Sequence, residues 1–267
     1  MSTLLEEPTA TPAAPAAPPA GREPWYMING GRYPGEDPFF YEREQFPWVK
    51  TLEDNWEAIR DEIQALLASG DRDRVKPYFN RMMVFPPRHW KTMGFYFWGF
   101  RMHGNCRRCP TITRVLESIP GMTAGSLSML EPGSNINPHQ GDTNAIIRSH
   151  LGLIIPTGLP ECGFQVGPEI RPWEEGKMLL FCDAHTHTAW NHSKERRLIL
   201  IVDVMLPEFA ARRSAICSHV LASSLMQRAY QNVAVLNRFP GSLQYALHAL
   251  TRAFIRGILP IQRRLGR

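Results

Sequence analysis

Apolar positions along the chain change their spacing twice. Leu52, Trp56, Ile59, Ile63, Leu66 and Leu67 recur every three or four residues, the repeat of one helix face. Acidic Glu53 and Asp54 open this stretch and Gly70 follows it, so the pattern predicts one amphipathic helix over 51–69, packed against a sheet. From about Ala124 short runs rich in β-branched and aliphatic residues take over, at 126–130, 145–155, 163–166, 177–182 and 197–205. Turn-forming stretches separate them, EPGSN at 131–135, PTGLPECG at 156–163 and NHSKE at 191–195. No helical repeat of useful length interrupts 124–205, so this region predicts an antiparallel, all-β barrel or sandwich. After Pro207 the helical repeat returns. Leu243, Leu247, Leu250, Phe254 and Ile258 fall on one face, with His248, Arg252 and Arg256 on another.

Hydrophobic residues make up 43% of 267 positions, enough for a full core. Residues 8–20, PTATPAAPAAPPA, differ, and predict a disordered leader over 1–22. No apolar run reaches the roughly 18 residues that a spanning helix needs. The N-terminus lacks the layout of a secretory signal, and five cysteines do not form an even disulfide framework. A reducing, cytoplasmic setting is expected. Cys106 and Cys109 form a C-x-x-C without the second pair that a zinc site wants. The aromatic run at 95–100 has no interleaved basic residues, so it reads as core or pocket wall, and no nucleic-acid partner is expected. The net charge of +5 conceals an asymmetry. Residues 209–267 hold nine arginines, no lysine and no acid, which leaves 21 basic against 25 acidic side chains, a net of −4, in residues 1–208. The partner of that tail should be anionic.

Candidate chemistry sits at turns of the β-region. His139, in Pro138-His139-Gln140-Gly141-Asp142, follows a turn and is expected to precede a strand, a usual place for a metal ligand at a barrel mouth. Asp183-Ala184-His185-Thr186-His187 leaves the run 177–182, and Arg197 opens RLILIVDV. His185 and His187 lie on the same side of an extended segment, so alternation does not choose between them. Two neutral imidazoles suit Fe(II), which 2-oxoglutarate chelates through its keto and C1-carboxylate oxygens. The far carboxylate then needs a fixed cation, and arginine offers a two-pronged match. Each piece alone is common on protein surfaces. Their coincidence in one β-region carries the weight.

The stretches SLSMLEPGSNINPHQGDTNAIIRSHLGLIIP, RPWEEGKMLLFCDAHTHTAWN and RRLILIVDVMLPE lie within residues 126–208. They resemble the aspartyl/asparaginyl β-hydroxylase family of 2-oxoglutarate oxygenases, which carries H-x-G in place of the commoner H-x-D/E. The R-x-H-L-G-L, W-x-E-G-K and R-L-I-x-I-V-D-V strings match too, and HWKTMGFYFWG at 89–99 is similar, more loosely, to an upstream W-K motif. The resemblance implies a mainly β, double-stranded β-helix (jelly-roll, cupin-like) core with a flanking N-terminal helix. Together with the spacing and charge patterns, it predicts the oxygenase domain over 23–208, with its motif core at 124–208, followed by a basic amphipathic helical extension over 209–267. Fe(II), 2-oxoglutarate and O2 are the implied cofactors.

By position the resemblance implies His139 and His187 as metal ligands. It implies Arg197 as partner of the distal carboxylate of 2-oxoglutarate, with Ser128 beside it, and Arg148 and His150 as the polar pair near that co-substrate. His185 has no counterpart and is expected behind a ligand or facing substrate. Gly141 leaves the protein two ligands; Asp142, out of register, reads as a turn cap before it reads as a substitute. Because some related oxygenases admit a halide at the missing carboxylate, halogenation stays open beside hydroxylation, as does a non-catalytic binding or scaffold protein. The family covers peptidyl, free amino acid and lipid acyl hydroxylases. The arginine-rich C-terminal helix reads either as an element for an anionic membrane surface or as a helix packing its stripe on the barrel. The favoured expectation is a small-molecule or lipid substrate, the fatty-acyl chain of a membrane lipid reached from the cytoplasmic face. A free amino acid or a peptidyl Asp, Asn or Pro residue is the other candidate.

Overall fold

The computed structural model of the protein describes residues 22–264. The expected leader therefore lies outside the described residues, save Arg22, which pairs with Asp37. In chain order the strands are β1 (Phe40–Tyr41), β2 (Lys76–Pro77), β3 (Val84–Phe85), β4 (Trp90–Phe97), β5 (Phe100–Arg101), β6 (Met122–Leu130), β7 (Ser134–His139), β8 (Ile146–Ile154), β9 (Cys162–Val166), β10 (Glu169–Arg171), β11 (Met178–Cys182), β12 (His187–Asn191) and β13 (Arg197–Met205). The α-helices are α1 (Trp48–Glu53), α2 (Trp56–Ala68), α3 (His103–Arg108), α4 (Pro110–Ser118), α5 (Arg213–Asn232) and α6 (Gly241–Arg264). The larger sheet runs β1-β11-β8-β13-β6-β4-β2, with β5 on β4, and the smaller runs β10-β9-β12-β7-β3. Every pairing between these strands is antiparallel. Two such sheets, whose neighbours are mostly not consecutive in sequence, make the double-stranded β-helix.

Strand alternation divides the larger sheet into two faces. Leu127, Met129, Leu151, Leu153, Leu198, Leu200 and Val202 point outward and are buried under α2, α4, α5 and α6, through Ile59, Ile63, Leu116, Val220 and Leu259. Leu130, Phe181 and Ile199 point inward and meet Phe164, Val166 and Ala189 of the smaller sheet. Ser128 sits opposite Ile199, His150 opposite Ile201, and Arg148 opposite Asp203. The polar residues singled out by sequence thus share the inward face with apolar neighbours. The fold aims them into the gap.

Three local readings change. The helix predicted over 51–69 is two helices, because the Asn55 amide donates to the Thr51 carbonyl at 2.8 Å and closes α1. The aromatic run divides: Phe95, Tyr96 and Trp98 are buried, whereas Phe97 and Phe100 are exposed. The predicted apolar stripe of α6 faces solvent, with Leu250 and Phe254 68% and 67% exposed. The side of α6 turned to the body carries His248, bonded to Ser223 at 3.0 Å, Ile255, Leu259, and Gln262, which bonds the backbone of Arg101. Among the described residues no helix is long and apolar enough to cross a membrane. Cys106 and Cys109 are buried and not joined in a disulfide.

Candidate active site

His139 closes β7 and His187 opens β12, and the two are direct partners in the antiparallel register. Their rings lie 4.2 Å apart, centre to centre. Each Nδ1 lies 2.8 Å from the carbonyl two residues back, Asn137 for His139 and His185 for His187. A carbonyl only accepts, so Nδ1 carries the proton in both rings and Nε2 is left with a free lone pair. Burial holds both imidazoles neutral: His139 is pushed down to about 4 and His187 well below the usual range. Two neutral rings of fixed tautomer, with Nε2 available, are what a borderline divalent cation needs. Among the described residues no cluster of three or more His, Cys, Asp or Glu is arranged to hold a metal, so two imidazoles are the offer.

Arg197, at the start of β13, is 1% exposed. Its guanidinium lies over the Trp173 ring at 4.7 Å. Nε and Nη2 have no hydrogen-bond partner, and burial lowers its pKa to about 10. A buried cation without a counter-ion is costly, and this one remains charged at neutral pH. Trp173 also donates its indole N–H to His150 Nδ1 at 3.2 Å, which puts the His150 proton on Nε2. Trp90 donates to the Ser128 hydroxyl oxygen at 3.0 Å, leaving the Ser128 O–H free to donate. Arg197, His150 and Ser128 therefore present donors and no negative charge. The set fits a carboxylate.

Arg148 is engaged otherwise. It grips Asp203 through two bonds, Nε to Oδ1 at 2.8 Å and Nη2 to Oδ2 at 2.7 Å, and reaches Asp183 Oδ1 at 2.6 Å. Asp183 is fully buried, and burial raises its pKa to about 7. Its Oδ1 lies 3.6 Å from His187 Nε2, and its Oδ2 has no partner. Gly141 explains its own identity here: a Cβ at that position would stand 1.6 Å from Asp183 Oδ2. Asp183 Oδ2 thus occupies the space that a side chain at position 141 would fill. Asp142 turns away, accepting from the Trp98 indole at 3.2 Å.

A cavity of about 610 Å³ opens beside His187, lined by Tyr33, Phe39, Pro138, Gln165, His185 and Pro168 among others. That volume suits a small or slender ligand. Arg32 is the one charged residue of the lining, and it is exposed. His185 is wall rather than metal site: its Nε2 contacts the Asp37 carbonyl at 2.7 Å and its ring packs on Tyr33 and Phe39. The structure thus gathers His139, His187, Arg148, His150, Ser128 and Arg197 between the sheets. Sequence reasoning missed Asp183, Trp173 and Asp203. The i, i+4 spacing of Asp183 and His187 was the available signal for the first.

The sequence profile described as Aspartyl/Asparaginyl beta-hydroxylase matches residues 53–207. The chain belongs to this family. It is 33% identical over 176 residues to an "Ornithine lipid ester-linked acyl 2-hydroxylase" of Rhizobium tropici, covering 64% of this chain and 62% of that protein. It is 35% identical over 172 residues to the "Aspartyl/asparaginyl beta-hydroxylase" of Homo sapiens, covering 62% of this chain and 22% of that protein. A third relative of the family, "Aspartate beta-hydroxylase domain-containing protein 2" of Rattus norvegicus, is 34% identical over 65% of this chain and 52% of its own length. The match therefore spans less than two thirds of each of these relatives.

Proposed function

We propose that the protein is an Fe(II)- and 2-oxoglutarate-dependent oxygenase that hydroxylates an unactivated C–H bond in the fatty-acyl chain of a membrane lipid. The observation that carries the reaction class is Arg197, a buried guanidinium with idle donors on the inward face of the larger sheet, set across the gap from two neutral, tautomer-fixed histidines of the smaller sheet. Such a cation is stabilised by a bidentate carboxylate, and the metal-chelating end of 2-oxoglutarate suits the histidine pair. His139 and His187 would hold the iron through Nε2, while Arg197, Ser128 and His150 would hold the distal carboxylate. With O2, iron and 2-oxoglutarate supply the oxidant that replaces C–H by C–OH as 2-oxoglutarate becomes succinate and CO2.

The protein's own contribution is placement and dryness. The two Nδ1–H bonds fix the ligand rings, and Trp173 fixes both Arg197 and His150. Arg148, clamped by Asp203, holds the Asp183 carboxylate beside His187. Phe164 and Phe181, packed on His187 and His150, exclude water that would intercept a reactive centre. Halogenation is the weaker reading, because the space next to Gly141 already holds a carboxylate. The lipid substrate is supported by the similarity to the ornithine lipid acyl hydroxylase. The test is to supply iron, 2-oxoglutarate and O2 with lipid extract, free amino acids or Asp/Asn peptides, and to read the mass of each. Gain of one oxygen on an acyl chain supports the proposal. Gain only on an amino acid or peptide overturns the lipid substrate, and no oxygen transfer to any overturns the reaction.

A further inference from the structure

The outward side of α6 is an apolar surface that none of the described residues covers. Leu243, Leu250, Phe254, Ile258 and Ile261 are 42%, 68%, 67%, 38% and 58% exposed and recur at helical spacing. They extend about 27 Å at 1.5 Å per residue. The exposed positions between them, Ala246, Ala253, Gly257 and Pro260, are uncharged; Arg256 and Arg264 flank the stripe, whereas Arg252 lies on the His248 side of the helix. A stripe of this length exceeds the scattered apolar exposure of ordinary surfaces. A second apolar group lies at the site's rim, where Phe79, Met82 and Phe85 are 63%, 82% and 66% exposed. Asn137, two residues before His139, bonds the Met82 carbonyl at 2.7 Å. Tyr78 stacks on Trp90 at 3.9 Å. Arg228 of α5 lies over Phe79 at 4.6 Å, so the C-terminal helices reach this rim directly.

We infer that the outward face of α6, together with the apolar rim at 79–85, is a docking surface for an anionic lipid bilayer. Charge selects the occupant. Residues 209–267 hold no acid, and exposed Arg238, Arg256 and Arg264 complement anionic headgroups while the apolar stripe enters the acyl boundary. A second copy fits poorly, since a symmetric contact would bring two arginine sets together with no acid in the segment to answer them. Docked this way, the rim beside His139 sits against the lipid. The inference rests on the lipid reading above and gives it a route from membrane to site.

The test uses the full chain loaded with Fe(II) under anaerobic conditions, sedimented with vesicles of phosphatidylcholine alone or of phosphatidylcholine with phosphatidylglycerol. The wild-type chain is expected to sediment with the anionic vesicles and stay largely free with neutral ones. The Leu250→Glu/Phe254→Glu variant should remain in the supernatant, and Arg256→Gln/Arg264→Gln should bind about 25-fold more weakly, from about fivefold per arginine. Both variants should still bind 2-oxoglutarate like wild type, which shows that they fold and separates this surface from the oxygenase site. Wild-type protein that ignores anionic vesicles while binding 2-oxoglutarate overturns the docking surface and leaves the reaction class standing. Undiminished sedimentation of Leu250→Glu/Phe254→Glu, or a dimer of the wild type that this variant abolishes, overturns it as well.

Discussion

Replacing Arg197 by methionine should stabilise the protein without co-substrate and abolish its response to co-substrate. The unliganded fold holds this guanidinium at 1% exposure with two donors idle. The fall of its pKa from 12.5 to about 10 corresponds to ~3 kcal/mol of disfavoured charge at neutral pH, where both folded and unfolded states are protonated. Methionine is of similar length and removes that term. It also removes the stacking of the cation on Trp173 at 4.7 Å, worth up to about 2 kcal/mol when desolvated. The net gain is therefore ~1 kcal/mol, about 2–4 °C in Tm for a chain of this size. With 2-oxoglutarate at a hundred times its Kd, the wild type should gain ~2.7 kcal/mol and the variant nothing, so the order of stability reverses. The assay is thermal unfolding of the anaerobic Fe(II) protein with and without 2-oxoglutarate. A variant less stable than wild type without ligand, together with a wild type unmoved by ligand, would refute the reasoning.

Other consequences follow from the same geometry. His139→Ala and His187→Ala should each fold and lose iron, read as metal per chain by elemental analysis, and a variant that keeps a full equivalent would contradict the ligand assignment. Gly141→Ala puts a Cβ 1.6 Å from Asp183 Oδ2 and should cost about 2–4 kcal/mol in urea unfolding. The same change made on Asp183→Ala should cost far less. His219 and His248 lie 5.1 Å apart, ring to ring, between α5 and α6. Both are held below the usual imidazole range, by burial first and then, for His219, by His248 and Arg252 and, for His248, by Arg252. A depressed imidazole pKa means that the unfolded chain takes up protons first, so stability present above pH 6.5 should fall below it. His219→Gln should therefore lose less Tm than wild type between about pH 7.5 and pH 5.5.

Much of the barrel is legible from sequence because β6, β8, β11 and β13 are apolar on the outward face and partly apolar on the inward one. The strands carrying the two histidines are not. SNINPH and HTAWN place polar residues on both faces, as segments at a site mouth do, so the two-residue apolar repeat is absent. His139 consequently ends a strand where sequence reasoning has it precede one. The resemblance finds His139, His187 and Arg197 because it reads residue identity, not periodicity. Asp183 is invisible to both: its bearing on Gly141 is a contact across 42 residues of chain that only folding creates. The open face of α6 is likewise a tertiary fact. Periodicity locates an apolar stripe, but which side of a helix meets the body depends on Ile255, Leu259 and Gln262 finding their partners.

The most direct measurement is anaerobic equilibrium dialysis of 2-oxoglutarate against the protein, with and without Fe(II). One 2-oxoglutarate per chain should be retained when iron is present, far less without iron, and none by Arg197→Met. Retention that ignores iron, or that survives loss of the Arg197 guanidinium, would contradict a pocket in which two imidazoles and one arginine hold metal and dicarboxylate together.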